Sequence, residues 1–220
     1  GASYAEERAA CCRDKPSCPP MIAQRLALLL LASCTSSAVA APDMVRVPGG
    51  QATIGSDRGR PDEGPAFNTA VAAFELDRTP VTVGTFGRYV QRVVTDAERL
   101  GSGAVMRFGT GQWSLVSGAN WRKPYGPDAE AAKADHPVTQ VSWNDASAYC
   151  AAVGKRLPSE IEFEYASRAG QRSGPAHAFG DELVKDGHYR ANVWTGVFPL
   201  INTAKDGYRT TSPVGAFGAN

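Results

Sequence analysis

The chain has 220 residues, 43% of them hydrophobic and 20% charged, which provides the apolar surface of one ordinary globular domain rather than two. Its 23 basic and 22 acidic side chains nearly cancel, and no window gathers Lys and Arg into the stripe that a phosphate backbone requires, so no nucleic-acid partner is expected. The 23 glycines and 15 prolines follow no period, which argues against collagen, a coiled coil or a solenoid.

A signal peptide is predicted at residues 21–40. Arg25 follows the start at Met21, and the apolar run at residues 26–32 is followed by small residues, which is the basic, apolar and cleavable pattern of a secretory signal. A buried core helix can contain an apolar run of this length, but the flanking residues favour export. We therefore expect an exported protein that is periplasmic, secreted or lipid-anchored.

Two processing sites compete within that signal. Residues 31–34, Leu-Ala-Ser-Cys, resemble the lipobox of bacterial lipoproteins, in which Cys34 becomes the acylated first residue. The Ala-Val-Ala at residues 38–40 suits ordinary cleavage before Ala41. The sequence leaves both open, and membrane association is expected only through a lipid anchor at Cys34.

Residues 1–20 precede the predicted signal and are interpreted as non-native upstream translation. They contain Cys11, Cys12 and Cys18, but no histidine and no apolar periodicity. A metal or disulfide cluster is therefore less expected there than the absence of a folded role. The folded domain is predicted to span residues 41–220.

The first part of that domain predicts short strands and one helix. Two strands at residues 45–50 and 52–55, separated by a glycine turn, predict a hairpin-like entry. Residues 56–65 are charged and rich in Gly and Pro, which predicts a surface loop, and residues 71–76 supply another apolar strand. A helix is predicted to open at Thr82, with a buried stripe of Val83, Phe86, Val90 and Val93.

The stretch at residues 96–134 has no sustained period and is predicted as a long loop. It contains Trp113, Trp121 and Tyr125, and these aromatic residues favour order over a solvated linker. A loop of this length inside a domain is usually functional or disordered.

Two further helices have clear start signals. Ser142 with Asp145, and Ser159 with Glu162, form capping boxes in which the side chain of each residue bonds the backbone amide of the other. Each helix is predicted to end at a glycine suited to the left-handed conformation, Gly154 and Gly170 respectively.

These helices and their linker, at residues 141–170, resemble the signature of the formylglycine-generating enzyme, or sulfatase-modifying factor, family. The segment at 118–127, Gly-Ala-Asn-Trp-Arg-Lys-Pro-Tyr-Gly-Pro, looks like the same family, as do residues 135–138 and 191–208. The resemblance covers about residue 45 to the end. The segment around Trp121 inclines the assignment to the sulfatase-modifying members rather than the wider superfamily.

The resemblance implies an α+β fold of the formylglycine-generating-enzyme type, in the C-type lectin-like superfamily, with low regular secondary structure and incomplete at its C-terminus. It also implies an oxidoreductase. Molecular oxygen and a copper(I) ion held by two cysteine thiolates would convert a cysteine in a Cys-x-Pro-x-Arg segment of a sulfatase into Cα-formylglycine, and soft thiolates suit Cu(I). The partner would be the sulfatase polypeptide, and a monomer is expected.

The family's reactive cysteines are expected just after Asn220, so no catalytic residue is assigned in this chain and the 220-residue polypeptide is expected to be inactive. Cys150 lies on the apolar face of a predicted helix and is interpreted as a small buried core residue. In some relatives a cysteine at this point forms a disulfide with one near the C-terminus. Without that partner, Cys150 is expected to be unpaired.

The resemblance assigns a structural calcium ion to Asn192, Val193, Asp206 and Tyr208, because carboxylate, amide and backbone oxygens are the hard ligands that Ca²⁺ selects. Without the family, a simple turn at Asp206 and a loop role for Asn192 would be the preferred interpretation.

Trp121 and Arg122 are candidate substrate-binding residues that would line a peptide groove, although Trp121 is equally expected to anchor the long loop.

Two other functions stay open. A non-catalytic exported or lipid-anchored binding domain would keep the fold and the calcium but lack the cysteines. An iron-dependent sulfoxide synthase would usually carry an additional histidine-bearing helical domain, and none precedes residue 45.

Overall fold

A computed structural model of the chain describes residues 10–14, 44–170 and 177–218. The predicted signal at residues 21–40 and its two processing sites lie outside these described residues. Within the described ranges, no helix has the length and apolar character needed to cross a bilayer.

Short strands and helices alternate with long connections. The strands are β1 (Cys12–Asp14), β2 (Met44–Val47), β3 (Gly50–Ile54), β4 (Phe67–Val71), β5 (Phe74–Asp77), β6 (Ser102–Arg107), β7 (Gln112–Ser117), β8 (Val184–Lys185), β9 (His188–Tyr189), β10 (Gly196–Val197) and β11 (Ile201–Asn202). The α-helices are α1 (Val83–Tyr89), α2 (Asp96–Leu100), α3 (Trp143–Ala152) and α4 (Glu160–Ser167), with 3₁₀ turns at Pro61–Glu63 and Val90–Arg92. The α+β class with modest regular structure is confirmed.

The predicted hairpin between the first two strands is wrong. Strand β2 pairs with β5 and β3 pairs with β4, both antiparallel. Val47 pairs with Phe74 on one side of the bend, and Gly50 pairs with Val71 on the other side. Both strands of the ribbon therefore bend at the same level. The approach there is so close that a Cβ on Gly49 would lie 2.9 Å from the backbone carbonyl oxygen of Val71. The glycines that predicted a turn therefore mark a corner in a longer ribbon.

Helix α1 begins where the sequence predicted, but its buried stripe is shorter. The Thr82 hydroxyl accepts a hydrogen bond from the Thr85 amide at 3.1 Å, which caps the helix. Val83, Phe86 and Val90 are buried as expected. Val93 is 39% exposed, because the α-helix gives way to a 3₁₀ turn after Tyr89 and the helical register is lost.

The prediction of a long loop over residues 96–134 is wrong in its first half. Helix α2 begins with a capping box between Thr95 and Glu98 and ends at Gly101, whose φ is 69°. An antiparallel hairpin of β6 and β7 follows. Residues 112–115 of β7 alternate between polar and apolar, but the apolar residues Trp113 and Leu115 lie on the exposed face. This is the reverse of the pattern expected for a half-buried strand.

Helices α3 and α4 confirm both predicted capping boxes. The Ser142 and Ser159 hydroxyls accept from the amides of Asp145 and Glu162, whose carboxylates bond back to the serine amides. The glycines that follow adopt left-handed backbone, with φ of 72° at Gly154 and 67° at Gly170.

Two groups of buried side chains form the core. The first lies between α1, α3 and the loop after β7: Cys11, Val81, Val83, Phe86, Val90, Trp121, Val138, Tyr149 and Cys150. The second lies between the bent ribbons and α4: Cys12, Val47, Ala52, Ile54, Val71, Phe74 and Tyr165.

The expectation that Cys11 and Cys12 have no folded role is wrong, and so is the expectation that Cys150 is unpaired. Cys11 forms a disulfide with Cys150, which is a buried residue of α3. Cys12 pairs with Leu76 at the edge of β5. Neighbouring residues of a strand point to opposite sides, so Cys11 enters the first core group and Cys12 the second. A segment this short carries no periodicity, and its partners lie more than 60 residues away.

Candidate metal and peptide-binding loops

The link between α3 and α4 carries a buried ion pair that the sequence did not single out. The Lys155 ammonium bonds the Asp77 carboxylate of β5, and their side chains are 0% and 1% exposed. The Cys11 amide donates to the same carboxylate at 3.2 Å. A lysine at the end of a helix gives no sequence signal of burial, because its partner lies 78 residues away.

The next residue, Arg156, ties α4 to β1. Its guanidinium bonds Glu162 at 2.7 Å and Asp14 at 2.5 Å. The Arg156 hydrogen bonds lower the pKa of Glu162 to about 2, with help from Ser159 and against the effect of burial. Glu162 is therefore an ionised helix cap, as its capping box predicted, and not a general acid.

Trp121 is a buried anchor of the loop that follows β7. It is 5% exposed and packs edge-on against Phe86, with 5.6 Å between ring centroids. Its indole Nε1 has no hydrogen-bond partner among the described residues. Trp121 therefore anchors the loop, as one of its two expected roles required, and contact between Trp121 and a substrate stays a prediction.

Arg122 lies at the surface directly above that ring. Its guanidinium carbon is 4.1 Å from the Trp121 ring centroid, a cation–π distance, and it also pairs with the Glu98 carboxylate. Burial raises the pKa of Glu98, but hydrogen bonds from Thr95 and the Arg122 charge outweigh that effect and lower it. The two contacts hold a half-exposed guanidinium in place, and such a group is suited to bond carboxylate or carbonyl oxygens.

The four predicted calcium ligands come together in one pair of loops. The Asp206 carboxylate accepts hydrogen bonds from the Val193 amide at 2.9 Å and the Tyr208 amide at 3.1 Å. The side-chain amide of Asn192 donates to the Thr210 carbonyl at 2.8 Å. Asp206 therefore forms the turn that the simpler interpretation expected and also joins the two loops.

This loop pair carries amide, carboxylate and backbone oxygen atoms, the types of ligand that Ca²⁺ selects. No donor among the described residues engages the side-chain oxygen of Asn192 or the carbonyls of Val193 and Tyr208. With the Asp206 carboxylate, these atoms are the candidate oxygen ligands, and they belong to half-buried residues. The described ranges hold no cluster of three or more His, Cys, Asp or Glu side chains, so a site here depends on amide and backbone oxygens.

A cavity of about 340 Å³ borders this loop pair. Asp206 and Tyr208 form one side, and Phe179, His188 and Arg190 are among the residues of the other. Tyr208 also meets Phe217 edge-on, with 5.9 Å between centroids. The loop pair therefore borders open space on the side of Asp206 and Tyr208.

Comparison with known proteins gives consistent results. The model of the sulfatase-modifying factor enzyme 1-like domain matches residues 32–220. The formylglycine-generating enzyme of Streptomyces coelicolor is 41% identical over 197 residues, covering 80% of this chain and 62% of that protein. The enzyme of the same name from Bos taurus is 39% identical over 198 residues, covering 80% and 53%.

Two further similarities bear on function and fold. The inactive Cα-formylglycine-generating enzyme 2 of Mus musculus is 38% identical over 195 residues, covering 80% of this chain and 62% of that protein. The structure of PvdO from Pseudomonas aeruginosa superposes with a TM-score of 0.55 at 30% identity, covering 81% of this chain and 64% of that one. The chain thus spans between half and two thirds of the length of these relatives.

Proposed function

Because the chain belongs to the sulfatase-modifying factor enzyme family, we propose that it is the larger part of an exported oxidase that converts a sulfatase cysteine to Cα-formylglycine. The target lies in a Cys-x-Pro-x-Arg segment, and molecular oxygen is the oxidant. The observation that carries the proposal is the 41% identity, over 197 residues, to a formylglycine-generating enzyme.

A second candidate is a non-catalytic exported or lipid-anchored binding domain. The 38% identity to an inactive relative favours it almost equally. Overall similarity does not separate the two, because a domain can lose a few reactive groups and keep its core. The deciding residues are the cysteines of the reactive pair.

Copper(I) does not fit the residues that the structure describes. A two-thiolate site needs two free cysteines, and among the described residues only Cys12 is free, since Cys11 and Cys150 form a disulfide. Burial raises the pKa of the Cys12 thiol to about 11, which disfavours the thiolate form that binds metal. The described residues therefore lack the thiolate pair that copper(I) requires.

The first test is the coding DNA that follows the codon for Asn220. Two nearby cysteines there would support the oxidase. The protein encoded by the complete gene should then convert the cysteine thiol of a Cys-x-Pro-x-Arg peptide to an aldehyde, which mass spectrometry detects. A stop codon, or other residues at those positions, would contradict the oxidase and support the binding domain.

We further propose that Asn192, Val193, Asp206 and Tyr208 hold a structural calcium ion. Its role would be to neutralise the oxygen atoms that the two loops bring together. The test is the thermal midpoint with calcium and with a chelator: calcium should raise the midpoint of the wild type and not that of Asp206→Asn. Asp181→Asn, an exposed carboxylate of the same region, should respond as the wild type does. An equal calcium response in both variants would contradict the site, whatever the outcome for catalysis.

Arg122 is proposed to bond the backbone or an acidic side chain of the bound sulfatase segment. Arg122→Ala should weaken the binding of a sulfatase-derived peptide, because the guanidinium is already positioned by Trp121 and Glu98. Arg99→Ala removes a neighbouring exposed arginine of α2 and is the control. Equal effects of the two variants would contradict a direct role for Arg122.

A further inference from the structure

The outward face of the β6–β7 hairpin is apolar from the Ala104–Leu115 pair towards its tip. Paired residues of antiparallel strands point to the same side, and the pairs Ala104 with Leu115 and Met106 with Trp113 share one side. Trp113 is 63% exposed and Leu115 75% exposed. The opposite side carries the buried Val105. This hairpin therefore buries one face and presents a second hydrophobic face to solvent.

The tip of this hairpin touches the tip of the β10–β11 hairpin. The Gly109 amide donates to the Pro199 carbonyl at 3.2 Å. The ring of Phe108 lies 5.3 Å from that of Trp194, which lies 5.3 Å from that of Phe198. We call the exposed apolar residues of the two hairpins the hairpin surface: Ala104, Phe108, Trp113, Leu115, Val197, Phe198, Leu200 and Ile201.

Acidic residues are missing from the segments that build this surface. Residues 99–127 contain four basic residues and no Asp or Glu, and residues 187–205 contain two basic residues and no Asp or Glu. Two of the first four, Arg99 and Arg122, pair with acidic residues of α2. Arg107 directly precedes the apolar tip at Phe108, and its guanidinium bonds the Ser114 hydroxyl rather than a carboxylate. Within these two segments, the charged side chains are therefore all basic.

From this combination we propose that the hairpin surface docks on an anionic lipid bilayer. Exposed Trp and Phe at adjacent hairpin tips suit the boundary between headgroups and acyl chains. Flanking Arg and Lys are attracted to anionic headgroups. A second copy of the chain would bring like charges together. Charge therefore selects the lipid surface among the occupants that an exposed apolar patch can have.

Vesicle flotation of the full, unacylated chain tests the proposal, with phosphatidylcholine vesicles either pure or mixed with phosphatidylglycerol. The wild type should float with the mixed vesicles and much less with the neutral ones, and added salt should weaken the binding. The double variant Trp113→Ser, Leu115→Ser should lose about tenfold or more in vesicle affinity, because two large side chains leave the apolar contact.

The matched control is Phe67→Ser, Phe163→Ser, which removes two exposed apolar side chains from β4 and α4, beside the other core group. It should bind mixed vesicles as the wild type does. Equal binding to neutral vesicles, or an equal loss in both variants, would overturn the proposal. It would also be overturned if light scattering showed a wild-type dimer that the hairpin variant cannot form, with no vesicle binding by either.

Discussion

The part of the domain at residues 44–170 and the part at residues 177–218 are held together in different ways. The first contains the buried apolar side chains of the two core groups, apart from Cys11 and Cys12, which lie at the start of β1. In the second, the described residues that are buried are Thr195 and Ser212, both polar. The hydrophobic effect therefore stabilises the first part and contributes little to the second.

Side-chain hydrogen bonds to the backbone take its place in the second part. Asn202 accepts from the amides of Thr195 and Ala204, and Thr195 accepts from the amide of Lys205. Each such bond contributes only about 1 kcal/mol net. Segments held in this way open below the global unfolding free energy and respond strongly to a bound ligand. A bound calcium ion would therefore stabilise the second part more than the first, because the second part has few buried apolar side chains.

The largest expected effect lies in the first part, at the buried ion pair. Lys155→Met should lower the free energy of unfolding by about 3–5 kcal/mol, because it leaves the Asp77 carboxylate buried and unpaired. Urea denaturation measures the change. Lys185→Met, at an exposed site in β8, is the control and should stay within about 0.5 kcal/mol of wild type. A small loss in Lys155→Met would mean that water reaches Asp77.

Loss of the disulfide should be the next largest effect. Cys11 and Cys150 are 139 residues apart, and their cross-link restricts the unfolded chain. In the unprocessed chain, which keeps residues 1–40, Cys11→Ala should therefore lower the free energy of unfolding by about 2–4 kcal/mol. The wild type in a reducing agent should fall to the same value, measured by the same urea titration. Unchanged stability in both cases would show that β1 does not hold α3 in solution.

A smaller and local effect is expected in the second part. Without calcium, Asp206→Asn should lose one of the two amide bonds to the carboxylate, a change of about 1 kcal/mol. Amide hydrogen exchange at Val193 and Tyr208 should speed up while exchange in α3 stays unchanged. Faster exchange throughout the chain would contradict the view that this part opens independently.

The smallest effect is a pH dependence at the cap of α4. The folded pKa of Glu162 is about 2, below its ordinary 4.5, so the stabilisation is fully present above about pH 4.5 and is lost as the pH falls towards 2. Glu162→Gln should lower the unfolding free energy by about 1 kcal/mol at neutral pH, after allowance for screening by solvent, and by almost nothing at pH 2. Denaturation at both pH values measures this. Glu160→Gln, exposed in the same turn, should show no such difference.

Local signals predicted the elements that are fixed within a few residues of the chain. The capping boxes at Ser142 and Ser159 located α3 and α4, because both partners of each hydrogen bond lie three residues apart. The β6–β7 hairpin escaped prediction because its large apolar residues, Trp113 and Leu115, lie on the exposed face. The bent ribbon of β2 and β3 escaped because Gly49 marks a corner and a turn with the same residue type.

The sequence by itself therefore determined the family and the starts of α1, α3 and α4, since each depends on side chains close together along the chain. The tertiary structure decided the partners: Cys11 with Cys150, Lys155 with Asp77, and Trp121 in the core beneath an exposed Arg122. The disulfide joins residues that are 139 positions apart. Trp121 and Arg122 are neighbours in the chain, but only packing buries one and leaves the other exposed. Burial and ionic pairing arise only when the chain packs, because they depend on what surrounds a side chain and not on what precedes it.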